Sequence, residues 1–148
     1  MEKDVNTMEG LDFLLGNWNL EYKIPKNRYS EAMTGTGRGT FSRKLSDKYV
    51  VFDYSTFIGD GPEGQAHAIF AWDSKIKMYR FWWFESSGNF ETATCNFIND
   101  ETLFVNWHNS LLIQTFQKVG SDKVVLKMEE PNAEDKYMPI LEVIFTRE

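Results

Sequence analysis

Arg80 raises the first chemical question. It sits in "MYRFWWFE" (Met78–Glu85), an alternating run of otherwise apolar and aromatic residues. A guanidinium does not shed its proton, so one that points into a protein interior needs an anion or several acceptors around it. Two arrangements answer that need. In the first, Arg80 grips the carboxylate of a bound ligand through a two-pronged hydrogen bond. In the second, it snorkels to a rim or pairs with an acid of another strand. The first arrangement makes a binding site. Phe70, Trp72 and Trp82 would be its walls, and Tyr54, Arg80, Thr92 and Thr94 its polar anchors.

Other chemistry is sparse. There are two histidines, His67 and His108, and one cysteine, Cys95. The chain carries no glycine-rich phosphate loop, nucleophile elbow, histidine-rich metal motif or cysteine pair. Glu129 and Glu130 adjoin a polar segment and read as solvated. An acid–base enzyme of isomerase or lyase type would draw on Asp53, His67 and Arg80, and only their geometry decides whether it exists. A binding module with neither metal nor cofactor is the leading expectation.

Composition narrows the partners. With 148 residues, 42% hydrophobic and 26% charged, the chain has the size and balance of one globular domain, 1–148. Aromatics reach 16%, enough to fill a sheet interior or line a ligand cavity. The net charge of −6, with lysine and arginine dispersed, argues against a nucleic-acid partner. No run of ~18 apolar residues spans a membrane. The opening "MEKDVNTMEG" lacks the apolar core of a signal peptide. Together with the lone Cys95 this places the protein in a reducing compartment, the cytoplasm.

The elements that must position these residues are almost all strands. Met8 to Leu15 allows one or two helical turns. After it come ten short alternating segments: Trp18 to Ile24, Thr36 to Arg43, Tyr49 to Ile58, Gln65 to Asp73, Lys77 to Glu85, Asn89 to Ile98, Thr102 to Trp107, Leu111 to Lys118, Lys123 to Glu129 and Ile140 to Arg147. Short turns join them, apart from the longer polar segment "EPNAEDKYMP". Gly35, Gly37 and Gly39 recur at period two, as in a strand that bends sharply or meets another backbone closely. Ten such strands predict an all-β, antiparallel up-and-down barrel, since closure removes the edges. At about ten strands the interior is wider than side chains fill, so a cavity is expected.

Strand phase decides what faces that cavity. If Asp73 and Lys77 pair across "DSKIK", the even positions Ala66, Ala68, Phe70, Trp72, Met78, Arg80, Trp82 and Phe84 share one face. That face is the more apolar and lacks acids, so it is expected inside. Val50, Phe52, Tyr54, Thr56 and Ile58 join it from the preceding strand. Thr92, Thr94 and Asn96 join it if Glu85 pairs with Asn89 across Gly88. Tyr79, Phe81 and Trp83 would then face outward as a patch for a homodimer. A one-residue slip would invert every one of these assignments and return those three to the core.

"FLLGNW" near the start, "AIFAWDSKIKMYRFWWFESSG" in the centre and Arg147 in the last strand resemble the calycin group, the lipocalins and fatty-acid-binding proteins. More closely, they resemble an uncharacterised lipocalin-like domain family of bacterial proteins. The resemblance implies a barrel with a small-molecule cavity. It also implies that Trp18 plugs one end, with Arg147 stacked on it by a cation–π contact. Nitrobindin-type barrels share the opening and hold haem through a histidine near the chain end. Ile140 to Glu148 contains no histidine, which leaves His108 as the replacement to consider. The expected function is therefore binding of a small hydrophobic or aromatic ligand, acidic if Arg80 grips it. An enzyme using the same cavity, or a haem barrel, is the alternative.

Overall fold

Residues 7–27, 31–132, 134 and 136–148 are described by a computed structural model. A 3-10 helix, Thr7–Leu14, leads into ten strands. These are β1 (Gly16–Ile24), β2 (Met33–Lys44), β3 (Tyr49–Ile58), β4 (Gly64–Asp73), β5 (Met78–Glu85), β6 (Phe90–Asn99), β7 (Thr102–Trp107), β8 (Ile113–Lys118), β9 (Lys123–Pro131) and β10 (Tyr137–Arg147). Each pairs antiparallel with its sequence neighbours, and β1 pairs with β10, so the sheet closes on itself. The expected up-and-down barrel is the observed fold. β10 begins three residues earlier than the sequence indicates, because Tyr137–Pro139 pair with Glu129–Pro131 before a bulge between Pro139 and Leu141.

Alternation makes the wall two-sided. In β1, Trp18, Leu20 and Tyr22 are buried while Asn17, Asn19, Glu21 and Lys23 are exposed. The same period-two rule places Phe81 inward on β5, Ala93 and Cys95 on β6, Leu103 and Val105 on β7, and Val143 and Phe145 on β10. Among the described residues no helix is long and apolar enough to cross a membrane.

One end of the barrel is sealed. Leu11, Leu14 and Trp18 have no measurable exposure. The Trp18 indole donates to the Leu14 carbonyl at 2.7 Å. Arg147, the cross-strand partner of Trp18, lays its guanidinium 4.1 Å from the indole centroid. It also donates to the carbonyls of Leu15, Phe13 and Ser121, so one side chain stacks on the plug and satisfies the end of the 3-10 helix. Gly16 is required there twice over. Its φ is +120°, and a Cβ would lie 2.5 Å from the Arg147 Nη1. The Arg43–Asp12 ion pair ties the 3-10 helix to β2.

The glycine row of β2 faces inward, and aromatic rings of β3 lie across it. Phe41 and Phe52 stack with centroids 3.8 Å apart, and Phe52 and Tyr54 with centroids 4.3 Å apart. A Cβ at Gly39 would come within 2.7 Å of the Tyr54 Cβ and closer still to the Phe52 ring. The missing side chains thus make room for a ring stack that packs directly on backbone. Gly39→Ala must push that stack into the barrel. Urea unfolding is expected to show a loss of about 1–3 kcal/mol, the usual cost of overpacking; an unchanged midpoint would mean the rings do not rest on β2.

Candidate functional site

Away from the plug, the barrel is hollow. A cavity of about 350 Å³ runs between the two halves of the wall and reaches the surface at Asn109 and Ser110, both exposed. Its deep wall is apolar, with Leu20, Phe52, Phe116 and Phe145. Nearer the mouth stand Tyr54, Trp83, Trp107, Gln114 and Glu91. Among the described residues no lysine, arginine or histidine is part of the lining.

The polar groups in this wall are mostly spoken for. Trp83 Nε1 donates to the Tyr54 hydroxyl at 2.8 Å. Trp107 Nε1 donates to Gln114 Oε1 at 3.2 Å. Both indole N–H groups are thereby satisfied, and the two rings meet edge to face at 6.4 Å. Gln114 is the buried polar side chain of the described core, at 5% exposure. Trp107 holds its carbonyl, which leaves the amide N–H₂ for whatever occupies the cavity. Glu91, on β6 opposite Trp83, accepts from Asn109 Nδ2 at 3.3 Å. Burial pushes the Tyr54 phenol above its ordinary pKa, against an opposing pull from the Trp83 hydrogen bond. It does the same to Tyr22, helped by the nearby Tyr54.

The residues expected to form the site are divided by the wall. Tyr54 lines the cavity. Phe70 faces inward but is fully buried against Phe81 and Phe116, away from the cavity wall. Trp72 is inward too, edge to face with Tyr79 at 5.2 Å. Arg80, Trp82, Thr92 and Thr94 are on the outer surface. They do share a face, since Arg80 pairs with Thr94 and Trp82 with Thr92, and Glu85 N–H donates to the Asn89 carbonyl as expected. That face is the outer one.

The cause is one residue of turn length. Asp73 pairs with Met78, not Lys77. Four residues, 74–77, make the connection, and Lys77 adopts a φ of +54°. Asp73 organises this turn by accepting from the N–H groups of Lys75 and Ile76. Its other oxygen takes Arg80 Nε at 2.7 Å. The Arg80 hydrogen bond holds the Asp73 carboxyl below its usual range, with the Lys75 N–H adding to the effect. Arg80 therefore pairs with an acid of the neighbouring strand outside the barrel, the second of its two possible arrangements. The slip carries Tyr79, Phe81 and Trp83 inward, removing the outward patch on which a homodimer was expected.

The remaining chemistry is outside as well. His67 Nδ1 lies 2.5 Å from Asp53 Oδ1, but both side chains are on the outer wall, and Arg80 is tied to Asp73. His108 Nδ1 meets Thr92 Oγ1 at 2.9 Å on the exposed face of its turn. Neither histidine lines the cavity, so the residues present do not fit a histidine-ligated haem. Among the described residues no three His, Cys, Asp or Glu side chains converge as metal ligands.

Cavity residues not anticipated are Phe81, Trp83, Glu91, Trp107 and Gln114. The signal for Trp107 and Gln114 is present in the alternations Leu103-Val105-Trp107 and Gln114-Phe116.

No protein-family model and no curated protein matches the chain by sequence. Solved structures match it by shape. The crystal structure of Rv2717c from M. tuberculosis superposes with a TM-score of 0.66 at 10% identity, covering 97% of this chain and 98% of that one. The S-type phycobiliprotein lyase CPES from Guillardia theta gives 0.60 at 8% identity, with 98% and 94% covered. The barrel EF1p2_mFAP2b bound to DFHBI gives 0.53 at 11% identity, with 97% and 100% covered. At these identities the likeness is one of fold. The class this defines for the chain is the closed ten-strand antiparallel β-barrel.

The buried phenols make the wall testable. Folding raises the pKa of Tyr22 and Tyr54 above that of the unfolded chain. Their contribution is complete below about pH 10, where both states hold the proton. Above it the unfolded chain releases protons that the folded barrel retains, so stability falls as pH rises. Between pH 10 and 11, Tyr22→Phe is expected to make the slope of unfolding free energy against pH shallower by roughly three-quarters of a proton, about 1 kcal/mol over that pH unit. An unchanged slope would mean that the Tyr22 hydroxyl ionises freely in the folded state.

Proposed function

We propose that this chain is a lipocalin-like binding protein of the calycin type, a single domain over residues 1–148. It holds a small, flat, apolar or aromatic ligand inside the barrel. The observation that carries this reading is the 350 Å³ cavity, walled by aromatic and aliphatic side chains and furnished with one buried amide, Gln114. An enclosed apolar volume of about 150 Å³ is enough to take up benzene. Roughly twice that takes a fused two-ring compound, and about 300 Å³ is the lower range of drug-sized sites. The amide N–H₂ of Gln114 would mark one acceptor position on the ligand.

The acidic-ligand variant is not retained. Its anchor, Arg80, is outside and ion-paired, and among the described residues the one acidic or basic side chain of the cavity wall is a carboxylate, Glu91. The free, buried Cys95 fits residence in a reducing compartment, which makes the cytoplasm our assignment.

Titration with 2-naphthalenemethanol, followed by quenching of tryptophan fluorescence, tests the reading because Trp83 and Trp107 both line the cavity. Saturable one-to-one quenching is expected. Met128, half-buried in the same wall, offers a way to fill the space with little disturbance of the plug. Met128→Trp should weaken binding at least about ten-fold. Quenching that never saturates in the wild type, or equal affinity in Met128→Trp, would overturn the proposal.

A further inference from the structure

Resting on the reading of the cavity as a ligand site, we infer that its ligand carries a positive charge: the site takes an organic ammonium attached to an apolar or aromatic body. The argument is electrostatic and begins with the residues that share the mouth. Glu91 points inward from β6, directly across from Trp83 on β5. A half-buried carboxylate at the mouth of an apolar barrel loses part of its hydration, a cost that a cation would offset. Among the described residues its hydrogen-bond partner is a neutral amide, Asn109 Nδ2, at 3.3 Å. Among the described residues no lysine, arginine or histidine lines the cavity to balance it.

The rings around Glu91 have the same sign preference. Trp83 and Trp107 spend their indole N–H groups on Tyr54 and Gln114. With those N–H edges engaged by the wall, what the indoles leave for a ligand is ring surface without a donor. The two indoles meet edge to face, 6.4 Å apart at 76°, and Trp83 is the cross-strand neighbour of Glu91. Aromatic faces attract ammonium groups, and more so when water is partly excluded. The chain as a whole carries a net charge of −6, which favours the approach of a cation and disfavours that of an anion.

Geometry assigns the two ends of the ligand. The deep end, with Leu20, Phe52, Phe116 and Phe145, is apolar and suits rings or alkyl chain. The mouth, with Glu91, Trp83 and Trp107, suits the ammonium, which keeps contact with water through the opening at Asn109 and Ser110. An amine so placed forms a charge-assisted hydrogen bond to Glu91 without full desolvation of either group.

Three probes of one shape and different charge test this: 2-naphthylmethylamine, protonated at pH 7, neutral 2-naphthalenemethanol, and anionic 2-naphthoate. Each is titrated into the wild type and into Glu91→Gln by calorimetry. The wild type is expected to bind the ammonium about ten-fold more tightly than the alcohol, and the naphthoate more weakly than either. In Glu91→Gln the ammonium-to-alcohol ratio should fall to about two or less. Raising the salt from 50 mM to 500 mM should shrink the same ratio in the wild type, a check that needs no variant. Equal affinities for ammonium and alcohol in the wild type, or a ratio that survives Glu91→Gln, would overturn the inference and leave the binding reading standing. If none of the three probes saturates, both fall together.

Discussion

The seam between β1 and β10 is the contact on which the barrel depends. A ten-strand meander left open would expose two edges and an apolar face. Pairing Trp18 with Arg147 joins the chain's first strand to its last, and the same pair seals the end. The indole fills the bore and reaches back to the Leu14 carbonyl. The guanidinium covers the indole and collects the carbonyls of Leu15, Phe13 and Ser121. Closure, plug and attachment of the 3-10 helix are therefore one structural event. Among the described residues the opposite end has no such plug, and the interior there holds the cavity.

Filling is graded along the barrel. Next to the plug, the bare backbone of Gly39 lets the stacked Phe41 and Phe52 rings lie flat across the wall. Phe70 packs on Phe81 and Phe116 at the same level. Further on, the rings pair off through hydrogen bonds instead of stacking: Trp83 with Tyr54, Trp107 with Gln114. Those bonds hold large side chains against the wall and away from the axis. The cavity is thus maintained by satisfied polar groups, which gives it a defined shape.

Much of this was legible in the sequence. Ten strands follow from alternation and turn residues, the row Gly35-Gly37-Gly39 from its period of two, and the Trp18–Arg147 pair from its places in the first and last strands. The inward faces of β3 and β4, with Tyr54, Phe70 and Trp72, follow from the same pattern. The phase of β5 does not. Its even and odd faces are both rich in aromatics, so hydrophobicity barely separates them, and the choice then hangs on a turn of three or four residues. Lys77 adopts a left-handed φ that nothing in "DSKIK" announces for a lysine. Arg80 was the better discriminator: a permanent cation on one face argues for solvent, and its acid, Asp73, sits on the same side of the same hairpin. Because each strand takes its phase from the last, the slip moved Thr92 and Thr94 outward along with Arg80 and Trp82. Glu91 was hidden for the related reason that an inward carboxylate has a place only at a barrel mouth, and position along the barrel is a tertiary property.

The most direct test of the account is crystallographic. Crystals soaked with 2-bromonaphthalene and recorded at the bromine absorption edge would report where an aromatic body settles. The account predicts a single anomalous peak inside the barrel, flanked by Trp83 and Trp107 and within reach of Gln114. A peak confined to the outer face beside Trp82 and Phe84, with side chains filling the interior, would contradict it.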